Sequence, residues 1–396
     1  MTGTTATAGP VRYMQGIAVP SESVRPTEFF ARTRRHTANE GVKGSYAGLG
    51  LQDIWECKKS DVIAGFYLRL SGSLVVTPGT GTVATTARWP YDAVNVRFTA
   101  NGASNLINCS GLMLKVREAM KNIDLTDRGV VQTIVGASQQ QGTLSLASES
   151  WGVGSNTSAI GAGTYPVDLL WYIPVAEDEV DLAGAIFAAT SSTDLTVTVD
   201  YAAPATLFAL TGNATVALNA SAQLTAVKYS IPLGSDGNIV VPDLSLFHSI
   251  IKARSTNGLT NGENETRLNG QGAGKTLLRA FFNVWNGTGA ASAPLAMNDT
   301  NFGKLAWRYA SNETPDEYLS GQVLRYFNER VYNTDIGKIW GFGSYDFSAQ
   351  NAFRDAVDMG TTSELRLVTT IASGVALSNP AIEYAQETIF QAGAGS

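Results

Sequence analysis

Residues 165–201 read YPVDLLWYIPVAEDEVDLAGAIFAATSSTDLTVTVDY, and this stretch decides the fold class. Large apolar side chains alternate with other residues from Tyr165 to Ile173, and again from Leu195 to Tyr201. A period of two is typical of half-buried β-strands, because successive side chains of a strand point to opposite faces of the sheet. The stretch therefore predicts two strands, separated by an acidic turn and a run of small residues.

Short segments of the same kind recur along the rest of the chain. VIAGFYLRL (62–70) and VNVRF (94–98) alternate in the first half, and LTAVKYSIPL (224–233) begins the second half. Many short strands and two halves of similar length favour two β-sandwiches in tandem. Further strands are predicted in LLRAFFNVW (277–285), GQVLRYF (321–327), GKIWGFGSYDF (337–347), SELRLVTTIA (363–372) and AIEYAQETIF (381–390).

Three segments have helical features. Apolar residues four apart in 112–122 leave both a helix and an edge strand open, because periodicity alone does not separate them. Pro242-Asp243 is typical of a helix start and predicts a helix that carries His248. TEFFARTRRH (27–36) predicts a short helix with one apolar edge and arginines opposite.

The composition is that of a β-protein with little charge. The 396 residues exceed one ordinary core and allow two domains. Only 16% of residues are charged, against roughly 25% in an average soluble domain. The net charge of −6 argues against sequence-specific binding or wrapping of nucleic acid, which needs a basic stripe. Residues 1–43 differ, with six basic and three acidic residues.

Cysteine content and hydropathy indicate the cellular compartment in which the protein is made. Cys57 and Cys109 are too few for a disulfide scaffold or a four-cysteine metal site, and their apolar surroundings predict buried thiols. The first residues lack the features of a signal peptide, and no apolar run is long enough to span a bilayer. We therefore expect synthesis in a cytoplasm.

Few residues offer catalytic chemistry. QGAGKTLL (271–278) ends like a phosphate-binding loop, but Asn269 stands where that loop requires its first glycine. We predict instead a glycine-rich turn that enters a strand. The two histidines, His36 and His248, lie in a basic arm and beside apolar residues, and we predict structural roles for both. No catalytic residue, cofactor or metal site is predicted.

An acidic group follows the first strand of the opening stretch. It is a candidate to hold a cation or to pair with an arginine of a neighbouring subunit. The absence of cation-loop spacing favours a solvated turn that leads into a short helix. The group consists of Glu177, Asp178, Glu179 and Asp181.

A basic group lies in the N-terminal arm. It is a candidate to lie on an anionic membrane surface, and the alternative is an arm that packs along its own subunit or a neighbour. Both interpretations stay open. The group consists of Phe29, Phe30, Arg32, Arg34, Arg35 and Lys43.

The chain resembles the major capsid proteins of tectiviruses, the tailless bacteriophages with an internal membrane. The resemblance covers most of the chain and rests on spacing and residue type. It is carried by VIAGFYLRLSGSLVV (62–76), WYIPVAEDEVDLAGAIFA (171–188), IVVPDLSLFHSII (239–251) and LLRAFFNVWNGTG (277–289).

The resemblance implies an all-β fold of two tandem eight-stranded jelly-roll barrels with a few short helices. We expect an N-terminal arm (1–50), a first barrel (51–218), a second barrel (219–386) and a C-terminal tail (387–396). It also implies homotrimers of pseudo-hexagonal outline that tile an icosahedral shell over a membrane, with vertex (penton) and minor capsid proteins as partners. The acidic group would then be a subunit-contact loop.

A different class of protein stays open beside the capsid protein. A phage or cell-surface adhesin, or a carbohydrate-binding β-sandwich, would be supported by exposed aromatic residues on loops. Trp89, Trp151 and Trp285 are the candidates for such residues. An enzyme would need a pocket that gathers acidic residues from distant strands.

Overall fold

The structure is a computed structural model. It describes residues 12–14, 17–19, 33–44, 50–100, 103–121, 130–135, 139–144, 149–154, 159–189, 194–231, 244–256, 258–268, 274–288, 291–308, 318–337, 340–348, 356–359 and 365–391.

Strands dominate both halves of the chain. Those of the first half are β1 (Arg12–Met14), β2 (Ile17–Val19), β3 (Arg35–Lys43), β4 (Gln52–Glu56), β5 (Val62–Thr77), β6 (Val83–Thr85), β7 (Val94–Ala100), β8 (Ala103–Ser110), β9 (Val130–Val135), β10 (Gln139–Leu144), β11 (Ser150–Trp151), β12 (Gly163–Pro174), β13 (Ile186–Phe187), β14 (Leu195–Tyr201), β15 (Phe208–Leu210) and β16 (Thr215–Tyr229). Those of the second half are β17 (Leu246–Ser255), β18 (Gly262–Arg267), β19 (Lys275–Asn286), β20 (Ala293–Pro294), β21 (Phe302–Arg308), β22 (Gly343–Asp346), β23 (Val357–Asp358), β24 (Arg366–Ile371) and β25 (Ala381–Gln391). The α-helices are α1 (Gly111–Lys121), α2 (Pro204–Leu207) and α3 (Gly321–Tyr332).

The first barrel consists of two sheets around one core. Strands β12, β5, β16 and β3 form one sheet, which β11 and β13 extend, and β4, β14, β7 and β8 form the other. Counted along the chain, the first, eighth, third and sixth of these eight strands make one sheet, and the second, seventh, fourth and fifth make the other. This alternation between sheets is the jelly-roll order. Helix α1 follows the fifth strand.

The second barrel repeats this order. Strands β17, β25, β19 and β22 occupy the first, eighth, third and sixth positions of one sheet. Strands β18, β24 and β21 form the other, and Leu319 adds a bridge to Leu305 at the fifth position. Helix α3 again follows the fifth position. The fold is therefore all-β, with two tandem jelly-roll barrels, as the resemblance implied.

The opening stretch forms strands as predicted. β12 pairs along its whole length with β5, so that Leu169 lies opposite Leu70, and β14 pairs with β7. Leu169 and Trp171 are fully buried in the first core. Turns and β13 follow the acidic residues where a short helix was expected. The Asp178 carboxylate accepts hydrogen bonds from the backbone N–H groups of Val180 and Asp181 and closes a turn there.

A parallel pair of strands joins the barrels. Ile107 of β8 lies opposite Ile250 of β17, and this pairing fuses one sheet of each barrel into a ten-stranded sheet. The first barrel contributes β4, β14, β7 and β8, and the second contributes β17, β25, β19 and its short neighbours. The two barrels thus share backbone hydrogen bonds as well as side-chain contacts.

Some predictions of secondary structure were wrong, and one segment had been left open between a helix and an edge strand. The helix predicted to begin at Pro242-Asp243 is wrong where the structure describes it: residues 246–255, with His248, form β17, because both edges of this segment pair with other strands. GQVLRYF, predicted to be a strand, begins helix α3: the Ser320 hydroxyl caps its N-terminus, and Leu324 and Asn328 are buried four residues apart. Residues 112–122 lie largely in helix α1. In the predicted helix 27–36, residues 35–36 are strand and 27–32 lie outside the described part.

The strand pairing bears on the expected domain boundaries. β16 crosses position 218/219 and pairs with β5 along its whole length, and β25 runs past residue 386. Residues 35–43 of the expected arm form β3, the edge strand of the first barrel. We propose that the first barrel begins at β3 and ends with β16, and that the second runs from β17 to the end of β25.

Candidate assembly site: the junction of the barrels and its flanks

The junction buries the outer face of strand β19 in the second barrel. β19 is buried on both faces along nearly its full length. Phe282 and Val284 point into the core of the second barrel, whereas Phe281 and Trp285 join the hydrophobic cluster of the first. The Trp340 indole N–H also donates to the Ala87 carbonyl oxygen at 3.1 Å. The outer face of β19 is therefore part of an internal interface.

A central ion cluster lies inside this junction. Arg117 of α1 donates from Nη2 to Glu387 Oε1 at 2.7 Å, and Arg279 of β19 donates from Nη1 to Glu387 Oε2 at 2.7 Å. The His248 Nε2 atom lies 2.7 Å from Glu387 Oε1, and its Nδ1 atom lies 3.2 Å from the Pro174 carbonyl oxygen. These side chains are almost inaccessible to solvent. One arginine from each barrel thus binds a single carboxylate.

Glu177 of the acidic group belongs to the same cluster. Its carboxylate pairs with Arg279 at 3.1 Å and also with Lys121 of α1, and it is fully buried. The prediction of a solvated turn is therefore wrong for Glu177. A charge in the interior requires such partners, because burial without them costs several kcal/mol.

The remaining acidic residues have separate roles. Glu179 binds Arg35 of β3 at 2.6 Å and accepts hydrogen bonds from Tyr229 and Tyr172. Asp178 closes the turn described above, and Asp181 is exposed. The loop thus ties the edge strand β3 and the central cluster to the body of the first barrel.

A lateral ion cluster crosses the junction at a second place. The Arg88 guanidinium binds Glu383 at 2.6 Å and Asp92 at 2.7 Å, and it lies 3.9 Å over the ring of Trp285. Lys252 reaches Glu383 at 3.1 Å. Arg88 and Asp92 come from the first barrel, whereas the other three side chains come from the second.

The clusters shift the pKa values of their carboxylates. Burial opposes ionisation of Glu387, but Arg117 and Arg279 hold its pKa well below the usual range. Burial also opposes ionisation of Glu383, and Lys252 and Arg88 nevertheless lower its pKa to about 2. Both groups are therefore stabilised in their charged form by cations from across or beside the junction.

The arm residues are only partly described. Arg34, Arg35 and Lys43 lie in or beside β3, which pairs with β16, whereas Phe29, Phe30 and Arg32 lie outside the described residues. Glu40 of β3 pairs with the fully buried Lys228 at 3.2 Å. Residues 35–43 thus pack along their own subunit, and a membrane contact of the arm stays a prediction.

The other candidates are structural. Burial raises the pKa of both thiols, Cys57 and Cys109, to about 12. His36 lies 3.4 Å from Asp61 on the barrel surface. Gly274 precedes β19, which matches the predicted turn into a strand; residues 269–273 lie outside the described part.

The aromatic residues do not support the adhesin. Trp89 and Trp285 are fully buried, and Trp151 is half-buried. Over the described ranges, no group of three histidine, cysteine or acidic side chains is placed to hold a metal ion. Within the same ranges, no helix has the length and apolar character needed to cross a membrane.

Comparison with known proteins identifies the fold. No family model matches the sequence, and no curated protein sequence is significantly similar to it. The major capsid protein of STIV (Sulfolobus Turreted Icosahedral Virus) superposes with a TM-score of 0.62 at 15% identity, over 90% of this chain and 97% of that one. The chain has the double jelly-roll fold.

Two further double jelly-roll proteins extend the comparison. The major capsid protein P2 of Bacteriophage PM2 gives a TM-score of 0.51 at 12% identity, over 92% of this chain and 100% of that one. The Faustovirus major capsid protein gives 0.53 at 8% identity, over 94% and 92%. These neighbours are capsid proteins and not enzymes.

Sequence reasoning missed the two ion clusters of the double jelly roll. Some of their members stand singly inside apolar strands, such as Arg279 in LLRAFF and Glu387 in YAQETIF. A lone charge in a segment that must be buried requires a partner, and this was the available indication. A lone charge in the sequence does not show which distant residue is its partner.

Proposed function

We propose that this chain is a major capsid protein, a structural subunit that forms homotrimers and tiles an icosahedral shell. The observation that carries the proposal is the match of the whole fold to capsid proteins of three viruses. Each match covers at least 90% of this chain. Both barrels and their order are therefore common to all four proteins.

The junction supports the proposal physically. Backbone pairing, a shared apolar cluster and two buried ion clusters hold the barrels as one unit. A shell subunit needs this rigidity, because its contacts with neighbours have to meet at fixed angles. Two similar barrels in each of three chains give six similar units, which is the basis of a pseudo-hexagonal outline.

The proposed role includes a location and further partners. We place the protein in the virion capsid after synthesis in the host cytoplasm, over an internal membrane as in tectiviruses. The N-terminal arm with Phe29, Phe30 and Arg32 would contact that membrane or a neighbouring subunit. Vertex and minor capsid proteins would be further partners, and the exposed Asp181 side of the acidic loop would meet another subunit.

The test is the assembly state of the purified protein. Light scattering is expected to give the mass of three chains, and negative-stain images are expected to show pseudo-hexagonal particles that form facets at high concentration. A monomer at all concentrations would contradict the proposal.

The arm has a separate test. Deletion of residues 1–32, which spares β3, is expected to leave the trimer intact and to reduce shell assembly or membrane attachment. A truncated chain that no longer forms trimers would show that the arm belongs to the trimer contact.

A further inference from the structure

The helix that follows the fifth strand has a different environment in each barrel. In α1 every residue except Glu118 and Lys121 is buried, because the helix packs on its own barrel and also meets the second barrel at α3 and Glu387. In α3, Val323, Tyr326 and Phe327 are 41%, 62% and 52% exposed. Spacings of three and four residues place these three side chains on one face of the helix. We call this face the α3 stripe.

The first strand of each barrel shows the matching contrast. β17 lies between β25 and β8 inside the ten-stranded sheet. β3 ends its sheet, and within the described residues it forms strand pairs only with β16. Val42 of β3 is 59% exposed, and Leu51 and Ile54, in and just before β4, are at least half exposed. We call β3 with these three residues the β3 edge.

Strand β4 lies beside one end of β3 in the β3 edge. The Trp55 indole N–H donates to the Gly41 carbonyl oxygen at 3.2 Å, which fixes β4 beside the end of β3. An unpaired edge strand next to exposed apolar side chains is an unstable surface for a solitary protein, because it favours association.

The in-chain junction shows what completes these surfaces. There, the fifth strand of the first barrel (β8) pairs with the first strand of the second barrel (β17), and Arg117 of the following helix α1 binds Glu387 of β25, the strand next to β17. If the second barrel meets the first barrel of another copy in the same way, α3 lies at β3, the first strand of that copy. We propose that the α3 stripe of one chain docks on the β3 edge of a second copy of this chain. This inference rests on the proposed function and specifies its subunit contact.

The two surfaces differ from each other, so the contact is head-to-tail. Head-to-tail contacts produce a closed ring or an open filament, depending on the rotation between copies. Three chains contribute six barrels. The ring closes when neighbouring barrels of different chains are placed relative to each other as the two barrels of one chain are.

The charges around the stripe favour a protein partner over a lipid surface. A helix that lies on a membrane carries a polar face rich in Lys and Arg. Beside the α3 stripe, Glu329 and Arg330 carry opposite charges, and Arg325 is already bound to Asp335 at 2.9 Å.

Cross-linking tests the contact directly. Val42→Cys and Phe327→Cys are made in separate chains and co-expressed, and the purified protein is treated with a short bismaleimide. The two native cysteines are buried, so the introduced thiols are the accessible ones. We expect a two-chain product from the mixture and none from either variant alone. Leu210→Cys, at another exposed apolar site, replaces Val42→Cys as the control and is expected to give none.

The double variant tests ring closure. With both cysteines in every chain, denaturing gels are expected to show products of up to three chains and nothing larger. Longer products would overturn the closed ring, and cross-linking of Phe327→Cys to itself would show a twofold contact instead. A wild-type trimer without any specific cross-link would overturn this inference alone, whereas a wild-type monomer would overturn the proposed function as well.

A substitution in the α3 stripe distinguishes a second chain from a membrane as the surface that the stripe binds. Phe327→Ser is expected to weaken association on the order of 30-fold, as for a central apolar contact residue, and Leu210→Ser is expected to leave it unchanged. A Phe327→Ser chain that stays trimeric but no longer floats with phosphatidylglycerol vesicles would assign the stripe to lipid and overturn the contact.

Discussion

Helices α1 and α3 hold the same place in two barrels of the same topology, yet their compositions invert the usual expectation. The buried helix α1 contains Lys115 and Arg117, and the exposed face of α3 contains Tyr326 and Phe327. Lys115 binds Glu149 at 2.8 Å and Arg117 binds Glu387, so both cations are paired in the interior. A helix in this fold is therefore specified by the surfaces that cover it as much as by its own pattern.

The third strands of the two barrels repeat the contrast. Arg279 of β19 and Arg69 of β5 both form ion pairs on the outer face of their sheet. Arg279 is 2% exposed because the first barrel covers it, whereas Arg69, paired with Asp168, is 51% exposed. The same kind of pair is therefore an internal structural element in one barrel and a surface feature in the other.

The largest expected effect is the loss of the buried arginine. Arg279→Met leaves Glu387 and Glu177 with fewer cations in a dry interior and is expected to lower the free energy of unfolding by about 3–5 kcal/mol. Arg69→Met is the matched control, with an expected loss of about 0–1 kcal/mol. Urea unfolding at low protein concentration measures both. Similar losses for the two variants would remove the distinction between the covered and the open sheet face.

The second largest expected effect is the difference in unfolding free energy between truncations in α1 and in α3. Leu114→Ala in α1 removes a side chain that is almost fully buried and is expected to cost about 2–4 kcal/mol of unfolding free energy. Phe327→Ala in α3 is expected to change it by less than about 0.5 kcal/mol in the isolated subunit, because that side chain is half exposed. Thermal unfolding of dilute protein measures the difference. A large loss in Phe327→Ala would mean that α3 is already covered within its own chain.

The sequence predicted the parts of the fold that depend on local alternation. β5, β12, β14 and β25 follow from residues such as Val167, Leu169 and Trp171, which face a core at every second position. It did not predict β17, because Leu246 and Ile250 fit a helical spacing as well as a strand. The neighbours β8 and β25 decide that choice, and they lie more than a hundred residues away along the chain.

The junction was less accessible to prediction for the same reason. Glu177 stands in a run of acidic residues that is typical of a solvated turn, and its burial depends on Arg279 and Lys121 from distant elements. Trp285 was a candidate for an exposed loop residue only in the adhesin alternative, and it lies buried under Arg88. Local patterns predict which residues form strands, whereas contacts between barrels depend on pairs that sequence spacing does not specify.

The third effect is acid sensitivity of the lateral cluster. The folded-state pKa of Glu383 is lowered from its usual 4.5 to about 2, where Lys252, Arg88 and Arg254 face it. Its contribution is therefore present above about pH 4.5 and is lost as the pH falls toward 2. We expect Glu383 to account for a loss of about 2 kcal/mol between pH 7 and pH 3. Glu383→Gln is expected to be less stable at pH 7 and to show a shallower dependence on pH in the same urea titration. An unchanged slope in this variant would assign the acid sensitivity to other carboxylates.

The smallest effect concerns the attachment of the β3 edge. Arg35 binds Glu179 at 2.6 Å, but its side chain is 45% exposed, so water screens the pair. Arg35→Ala is expected to cost about 0.2–1 kcal/mol in unfolding free energy, and the neighbouring Arg34→Ala serves as the control. If the loss in Arg35→Ala approached that of Arg279→Met, the edge would be held as firmly as the internal junction. A small loss would instead agree with a β3 edge that is anchored mainly by strand pairing with β16 and by the buried pair of Glu40 and Lys228. An edge anchored in this way keeps its outer side available for a second chain, which is the condition that the proposed contact with the α3 stripe requires.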